Sequence, residues 1–383
     1  MAIPFKRVVI IGVGLIGGSI AAAMKELDDA PIVIGIGRHA EPLEKARQQG
    51  ALDEYALVDD PRVDEWLSSG ECDLVIIATP VHAARDWFER LEACGYDGVI
   101  TDVASTKAVI TGYADDILSH PDRYLPGHPM AGSEANGFGA ARADLFQGAY
   151  WILCPEGEGQ DETFLKLYET FGALGSRIIS ISRDQHDSAI AIVSHVPHMV
   201  ASSLVELAGN HVDERQELLR LAAGGFKDST RIAAGSPELW CGIAFDNACA
   251  LKSGLDEMAS ILGSFAAALE AGDRETFTRL LAEAADARRA LPAAWVPSTE
   301  KLLEVRIPMV NRTGVVAEVC TIASSVGCNI QSIDIDHISE GNAVLSLILT
   351  DEGDIGQLSM QLINAGFSVS FSPLMPKEYA HVE

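Results

Sequence analysis

Residues Gly12-Val13-Gly14-Leu15-Ile16-Gly17 stand between a continuous apolar run, Arg7 to Gly12, and a helix-forming run, Leu15 to Leu27. Glycines at this spacing in a strand-to-helix turn each have a task. The first makes the turn, the second lets a pyrophosphate approach the backbone, and the third lets helix and strand pack closely. The helix start adds free N–H groups and a positive dipole end, which hold an anion without any lysine. Pro31 to Gly37 is strand-like again and closes a βαβ unit. Gly12, Gly14, Leu15, Ile16 and Gly17 are therefore expected to bind a dinucleotide, and a chain built on this unit is committed to a parallel sheet.

The alternation continues through Asp73 to Thr79 and Gly98 to Val103, further buried-strand candidates with helical segments around 81 to 93 and 105 to 118. Strands apolar on both faces with helices between them imply an α/β sheet covered on both sides, a Rossmann-type domain over residues 1–155. At the end of its second strand an Asp or Glu would accept the hydroxyls of an NAD ribose, but here Gly37 is followed by Arg38 and His39. Arg38 suits the 2′-phosphate of NADP, or stacking on adenine, or plain solvation, so the residues leave NAD and NADP open. Thr79 and Pro80 close a later strand at the carboxyl edge of the sheet, where they either line the nicotinamide and ribose pocket or only make a turn.

From about Asp161 to Ala290 the chain turns to Ala, Leu and charge at helical spacing, with long stretches over Pro237 to Ala271 and Arg274 to Leu291. This is a second, all-α domain over 156–292. It carries more apolar surface than one small bundle buries, which points to packing on a second subunit, a self-contained bundle being the alternative. Leu291 to Glu300 has two prolines and no clear period, which places a linker at 293–300. Beyond it, Leu302 to Pro308 reads as a strand, Gly314 to Val326 as an amphipathic helix, Ile330 to Ile338 and Ala343 to Thr350 as strands, Ile355 to Asn364 as a helix and Phe367 to Phe371 as a strand. That is β-α-β-β-α-β, the ferredoxin-like order, over 301–375.

Composition limits the partners. Twenty-eight Lys and Arg against 55 Asp and Glu leave a formal charge of -27. Such a field repels phosphate backbones and anionic lipid, so neither nucleic acid nor a membrane is an expected partner. The seven cysteines are odd in number, scattered and without a C-x-x-C, which argues against a disulfide framework and a zinc site. A reducing cytoplasm and no metal are expected. The longest uncharged stretches, Val8 to Met24 and Ala189 to Val205, are short for the roughly 20 apolar residues of a spanning helix. Glycines inside the first make it a strand turning into a helix rather than a signal-peptide core.

Gly127-His128-Pro129-Met130-Ala131-Gly132-Ser133-Glu134 sets an imidazole between glycines after the sheet is built. Histidine accepts a proton near neutral pH, the task of a dehydrogenase base acting on an alcohol while hydride leaves. Ser105, in Asp102-Val103-Ala104-Ser105-Thr106-Lys107, either orients that imidazole or the substrate hydroxyl, or caps the next helix. Ser194-His195-Val196-Pro197-His198 lies in an apolar helical stretch without an acidic third ligand, so lining a cleft is a better reading than holding a metal. Gly224-Gly225-Phe226-Lys227-Asp228-Ser229-Thr230-Arg231, followed by Trp240, combines a flexible turn with two cations. The fork of Arg231 suits a carboxylate, with a surface salt bridge as the alternative.

Together these segments resemble the prephenate dehydrogenase family, which includes the arogenate and cyclohexadienyl dehydrogenases of tyrosine biosynthesis. The resemblance covers most of residues 7 to 290. It rests on G-x-G-L-I-G-G-S at 12 to 19, A-T-P at 78 to 80, D-V-A-S-T-K at 102 to 107, G-H-P-M-A-G-S-E at 127 to 134, S-H-V-P-H at 194 to 198, and G-G-F-K-D-S-T-R-I-A at 224 to 233 with Trp240. It implies a nucleotide-binding domain facing a helical dimerisation domain, prephenate in the cleft between them, a homodimer, and NAD as the family's usual cofactor. It also implies that His128 accepts the hydrogen bond and then the proton of the C4 hydroxyl, steadied by Ser105, while Arg231 binds a carboxylate. Glu134, Ser194, His198, Gly225 and Trp240 would shape the pocket.

The reaction implied is oxidative decarboxylation of prephenate to 4-hydroxyphenylpyruvate. Arogenate or cyclohexadienyl dehydrogenase activity is the alternative within the class, and a non-catalytic, nucleotide-responsive regulatory protein the alternative outside it. The tail resembles an ACT domain, with Asn311-Arg312-Thr313-Gly314 in place of an Asp-Arg-Pro-Gly-like turn and Gly327-Cys328-Asn329-Ile330 before its second strand. That resemblance implies an effector site at Asn311, Gly314, Asn329 and Ile330 with tyrosine as feedback ligand, a purely dimer-forming tail being the alternative.

Overall fold

A computed structural model describes residues 3–132, 137–155, 160–210, 224–290, 302–310, 312–337, 341–350 and 353–374. Strands β1 (Arg7–Ile11), β2 (Ile32–Gly37), β3 (Glu54–Leu57), β4 (Leu74–Ile77), β5 (Val99–Asp102) and β6 (Tyr124–Leu125) form one sheet in the order β3-β2-β1-β4-β5-β6. Every neighbouring pair is parallel. Val8 to Ile11 and Leu74 to Ile77 are buried along their whole length because helices cover both faces. Each such Val or Ile contributes about 1.5–3 kcal/mol by leaving water. The helices are α1 (Leu15–Lys25), α2 (Ala40–Gln48), α3 (Arg62–Ser68), α4 (Val81–Ala93) and α5 (Ala108–Ile117). The strand order reverses between β1 and β4, which opens a crevice at the carboxyl ends of the strands.

Pro126 ends the main sheet, and the chain crosses to a second one made of β7 (Gly127–Pro129), β8 (Tyr150–Leu153) and β9 (Arg177–Ser180). A Cβ at Gly127 would lie 2.7 Å from the Asp102 carbonyl oxygen, so only glycine lets β7 run this close to the end of β5. Helix α6 (Asp161–Ala173) leads into β9, which pairs in parallel with β8. Residues 161–180, read from sequence as the start of the helical part, thus run with this small sheet.

Helix α7 (Arg183–Ile190), a π-helical turn (Ala191–His195) and α8 (Val196–Asn210) continue as one 28-residue helical stretch. By length and composition this stretch is long and apolar enough to cross a membrane, which the shorter apolar run read from sequence is not. Only 33% of its most apolar window is buried, with Ile192, Val193 and Leu207 exposed, while its His186, Asp187, His195 and His198 are buried inside the protein. Helices α9 (Gly224–Thr230), α10 (Pro237–Asp246), α11 (Ala248–Glu270) and α12 (Arg274–Ala290) follow.

The chain divides into two compact units, Met1–Met258 and Ala259–Glu383, the division falling inside α11. In the second, β10 (Leu302–Val310), β11 (Ile330–His337), β12 (Asn342–Thr350) and β13 (Ser370–Leu374) form a small antiparallel sheet in the order β11-β12-β10-β13. Its core joins Val305, Ile307 and Leu347 to Val319 of α13 (Val315–Ser325) and Leu358 of α14 (Ile355–Asn364). Gly314 takes φ +86° where the chain turns into α13, a conformation that favours glycine.

Candidate active site

A cleft of about 680 Å³ opens at the carboxyl edge of the main sheet, with Gly12, Gly14, Gly37, Arg38, Thr79 and Pro80 in its wall. The glycines divide the work as their spacing predicts. Gly12 turns with φ +99°, and a Cβ there would meet the Ala78 carbonyl oxygen at 2.5 Å. A Cβ on Gly17 would lie 2.1 Å from the Gly12 carbonyl oxygen. Around Gly14 a Cβ would meet nothing within 4 Å, so the backbone there faces open space in the cleft wall. Gly14 also caps α1 without a side-chain hydrogen bond, leaving the N–H groups that start at Leu15 and Ile16 unclaimed by any cap. Thr79 Oγ1 is buried with no partner among the described residues. A bare cradle, an uncapped helix start and an orphaned hydroxyl together fit a dinucleotide.

At the same edge, Asp102 ends β5 and is fully buried. Its carboxylate accepts from Lys107 Nζ at 2.5 Å, Tyr124 OH at 2.7 Å and the Ala104 N–H at 2.7 Å. Lys107 Nζ also donates to the Gly127 carbonyl at 2.7 Å, which ties β7 to the end of β5 and sets His128 in place. Nδ1 of His128 lies 2.8 Å from Nε2 of His186, and Nδ1 of His186 lies 2.7 Å from Oδ1 of Asp187. The two carboxylate oxygens of Asp187 further accept the N–H groups of Lys107 and Ala108, each at 2.8 Å, at the start of α5.

This line of three fixes the tautomers. Burial raises the Asp187 carboxyl, but the bonds from His186, Ala108 and Lys107 outweigh it and hold the group below its usual value. The carboxylate therefore takes the Nδ1–H of His186, whose Nε2 lone pair takes the Nδ1–H of His128. Nε2 of His128 is left with a lone pair and no partner among the described residues. Burial first, then the positive charge that His186, Lys107 and His195 would share with it, holds the His128 imidazole well below the ordinary histidine value. It is an unprotonated base across the neutral range.

From Asp187 the polar contacts continue. Asn247 Nδ2 donates to the Asp187 carbonyl at 2.8 Å and faces His195 Nδ1 at 3.4 Å. His195 meets Trp240 edge to face at 6.0 Å, and His198 stacks on the same indole at 3.6 Å. His195 Nε2 and His198 Nδ1 are buried without partners among the described residues. Two such orphans each carry a penalty of about 1–3 kcal/mol unless a ligand or water satisfies them. Arg231 begins a 3-10 turn, Arg231–Ala234, and Gly235 at its end packs against the indole nitrogen, where a Cβ would come within 2.7 Å.

Comparison with known proteins decides the family. Residues 20–180 match the family model described as prephenate dehydrogenase, nucleotide-binding domain, and residues 182–283 match the one described as prephenate dehydrogenase, dimerization domain. The chain belongs to the prephenate dehydrogenase family. A prephenate dehydrogenase of Bacillus subtilis is 31% identical over 351 residues, 91% of this chain and 93% of that protein. A cyclohexadienyl dehydrogenase of Zymomonas mobilis is 33% identical over 290 residues, 75% of this chain and 96% of that protein. Among solved structures, prephenate dehydrogenase of Aquifex aeolicus in complex with hydroxyphenyl propionate and NAD+ superposes with a TM-score of 0.68 at 27% identity, covering 76% of this chain and 99% of that one.

Against the site residues that the prephenate dehydrogenase resemblance implies, the structure brings His128 into the hydrogen-bonded line and stacks His198 on Trp240. Ser105 is half-buried after β5, but the ring nitrogen it was expected to steady is held by His186, and Ser105 has no hydrogen-bond partner among the described residues. Ser194 is half-buried in the π-helical turn, while Gly225 and Arg231 are exposed on α9 and the turn after it. Glu134 lies outside the described residues, as does Asn311. His186, Asp187 and Asn247 were missed. His186-Asp187 is an adjacent pair in a helix, and nothing in its local sequence separates it from a solvated surface pair.

Proposed function

We propose that the chain oxidatively decarboxylates prephenate to 4-hydroxyphenylpyruvate, and that a nicotinamide dinucleotide accepts the hydride. The observation that carries this reading is the Asp187–His186–His128 line, which leaves one imidazole nitrogen bare just beyond the carboxyl ends of β5 and β6, in the sheet whose β1, β2 and β4 ends line the dinucleotide cleft. A nicotinamide ring held there supplies an acceptor for the hydride of C4. His128 Nε2 accepts the hydrogen bond of the C4 hydroxyl and takes its proton as the C–H bond breaks. The imidazolium so formed is stabilised through His186 by the Asp187 carboxylate. The ring carboxylate leaves as CO2, its electron pair completes the aromatic ring, and His128 returns the proton to the phenolate oxygen. Charge and atoms balance with no proton left on the protein.

Ser105 presents its hydroxyl to the substrate, Arg231 pairs with a substrate carboxylate, and Ser194, His198, Gly225, Trp240 and Glu134 line the pocket. Gly12, Gly14, Leu15, Ile16, Gly17, Thr79 and Pro80 hold the dinucleotide. The likeness to a cyclohexadienyl dehydrogenase supports a second reading, in which arogenate, with an amine for the side-chain keto group, is also oxidised to tyrosine. Measuring kcat/KM for both substrates tests the assignment: prephenate is expected to give the higher value, and a chain that turns over neither contradicts it.

The working unit is a homodimer. Ile192, Val193, Leu207 and Phe245 are exposed on the helical part, Phe245 to 78%, a degree of apolar exposure that a second copy relieves. The expected limit at 155/156 gives way to a nucleotide-binding part that runs through β9 and a helical part after it, the linker expected at 293–300 lies outside the described residues, and the tail 301–375 is an ACT module of ferredoxin-like form that binds tyrosine. The β10-to-α13 turn with Gly314 and the Asn329-Ile330 turn stand at opposite ends of α13, an 11-residue helix of about 16 Å. One small effector reaches both where two tails meet. The cysteines among the described residues form no disulfide with one another, which fits the reducing cytoplasm.

A further inference from the structure

The adenosine end of the cleft carries information that the family resemblance, with its default of NAD, does not. β2 ends at Gly37, paired with Leu57 of β3, where the side chain that receives the adenosine ribose is expected. A carboxylate at this position accepts the 2′- and 3′-hydroxyls of NAD and repels a 2′-phosphate. Crowding does not explain its absence. A Cβ on Gly37 would meet the Leu43 side chain at 3.4–3.5 Å, ordinary contact, so an aspartate fits the backbone as it stands. The next residue, Arg38, also lines the cleft, is exposed, and has no hydrogen bond or ion pair among the described residues. His39 lines it as well.

The other charges in the wall are placed differently. Arg90 of α4 is committed, its Nε to Asp64 at 2.6 Å and its guanidinium also to the Val58 carbonyl at 2.5 Å. Asp86, the one carboxylate lining the cleft among the described residues, stands on α4 rather than at the end of β2. Among the described residues the end of β2 thus offers an uncommitted cation and no anion. This is a setting for an added dianion, and it wastes the hydroxyl-accepting site that NAD would use.

We propose that Gly37 and Arg38 select the 2′-phosphate, so that this chain takes NADP in preference to NAD. The proposal rests on the nicotinamide-dependent reading of the same cleft and sharpens it. Titration of the full chain with 2′,5′-ADP and with 5′-ADP, followed by calorimetry, separates the two levels without any catalysis. The 2′-phosphorylated nucleotide is expected to bind about tenfold tighter or more, a gap that narrows as salt is raised. Arg38→Ala should close that gap by weakening 2′,5′-ADP alone, and Gly37→Asp should reverse the preference with Arg38 still present. Equal affinities, tighter binding of 5′-ADP, or an Arg38→Ala variant that weakens both nucleotides alike, as adenine stacking would, overturn the proposal. Failure of both nucleotides to bind, together with failure of NAD and NADP, removes the nucleotide-site reading itself.

Discussion

In the proposed reaction the nitrogen of His128 turned away from His186 is the one that does chemistry, and its availability depends on a carboxylate two side chains away. Asp187→Asn keeps the shape but replaces an acceptor with a group that also donates, so His186 is no longer held in the tautomer that leaves Nε2 of His128 bare. A kcat lower by about 10²–10⁴ with KM nearly unchanged is expected from steady-state kinetics, in line with the loss of a buried aspartate behind a catalytic imidazole. An unchanged kcat would assign Asp187 to capping α5 only. The same histidines make stability depend on pH. His128, His186, His195 and His198 are all lowered by burial, His195 to about 4. The unfolded chain binds their protons near 6.5, the folded chain only at lower pH. Their contribution is therefore complete above about pH 6.5 and is lost as pH falls toward the folded values. Calorimetry should show Tm declining from pH 6.5 toward pH 4, and a Tm flat over that window would contradict the burial of neutral imidazoles.

Among the elements, the glycine turn separates folding from binding. Gly17→Ala drives a Cβ into the Gly12 carbonyl and should destabilise the protein by several kcal/mol, read as a drop in Tm. Gly14→Ala meets only open space, so Tm should hold while nucleotide affinity falls about tenfold or more. A normal affinity in the folded Gly14 variant would mean that the pyrophosphate lies elsewhere. This turn, with β1, β2, β4 and β5, was legible in sequence because long β-branched runs and glycine spacing are local signals. β3, with the sequence Glu-Tyr-Ala-Leu, and the two-residue β6 were not, since sheet-edge strands this short carry no period. β7 is a strand only because Pro126 and Gly127 let the chain leave one sheet for another, so His128 was legible as a residue but not as a strand position. The relay behind it depends on a contact across 58 residues, and such pairings have no sequence signature.

For the whole molecule, the exposed apolar side chains of the helical part and the -27 charge pull in opposite directions, one toward association and the other toward separation. Local apolar contact acts at shorter range than a field screened within about 10 Å at ordinary salt. Analytical ultracentrifugation should therefore find a dimer that persists at low salt, and a monomer at micromolar concentration would remove the pairing of helical parts. Saturating tyrosine should lower the rate if the tail is an effector module, and unchanged kinetics would leave the tail a purely assembling role. The central claim is that His128 is the base for hydride loss from prephenate. Its most direct test compares the full chain with His128→Asn in one assay of prephenate and nicotinamide dinucleotide, reading reduced nicotinamide and CO2 together. The expected result is equal release of both by the parent chain, and a variant that stays folded, binds nucleotide with unchanged affinity and turns over about 10²–10⁴ times more slowly. A variant as fast as the parent would contradict it.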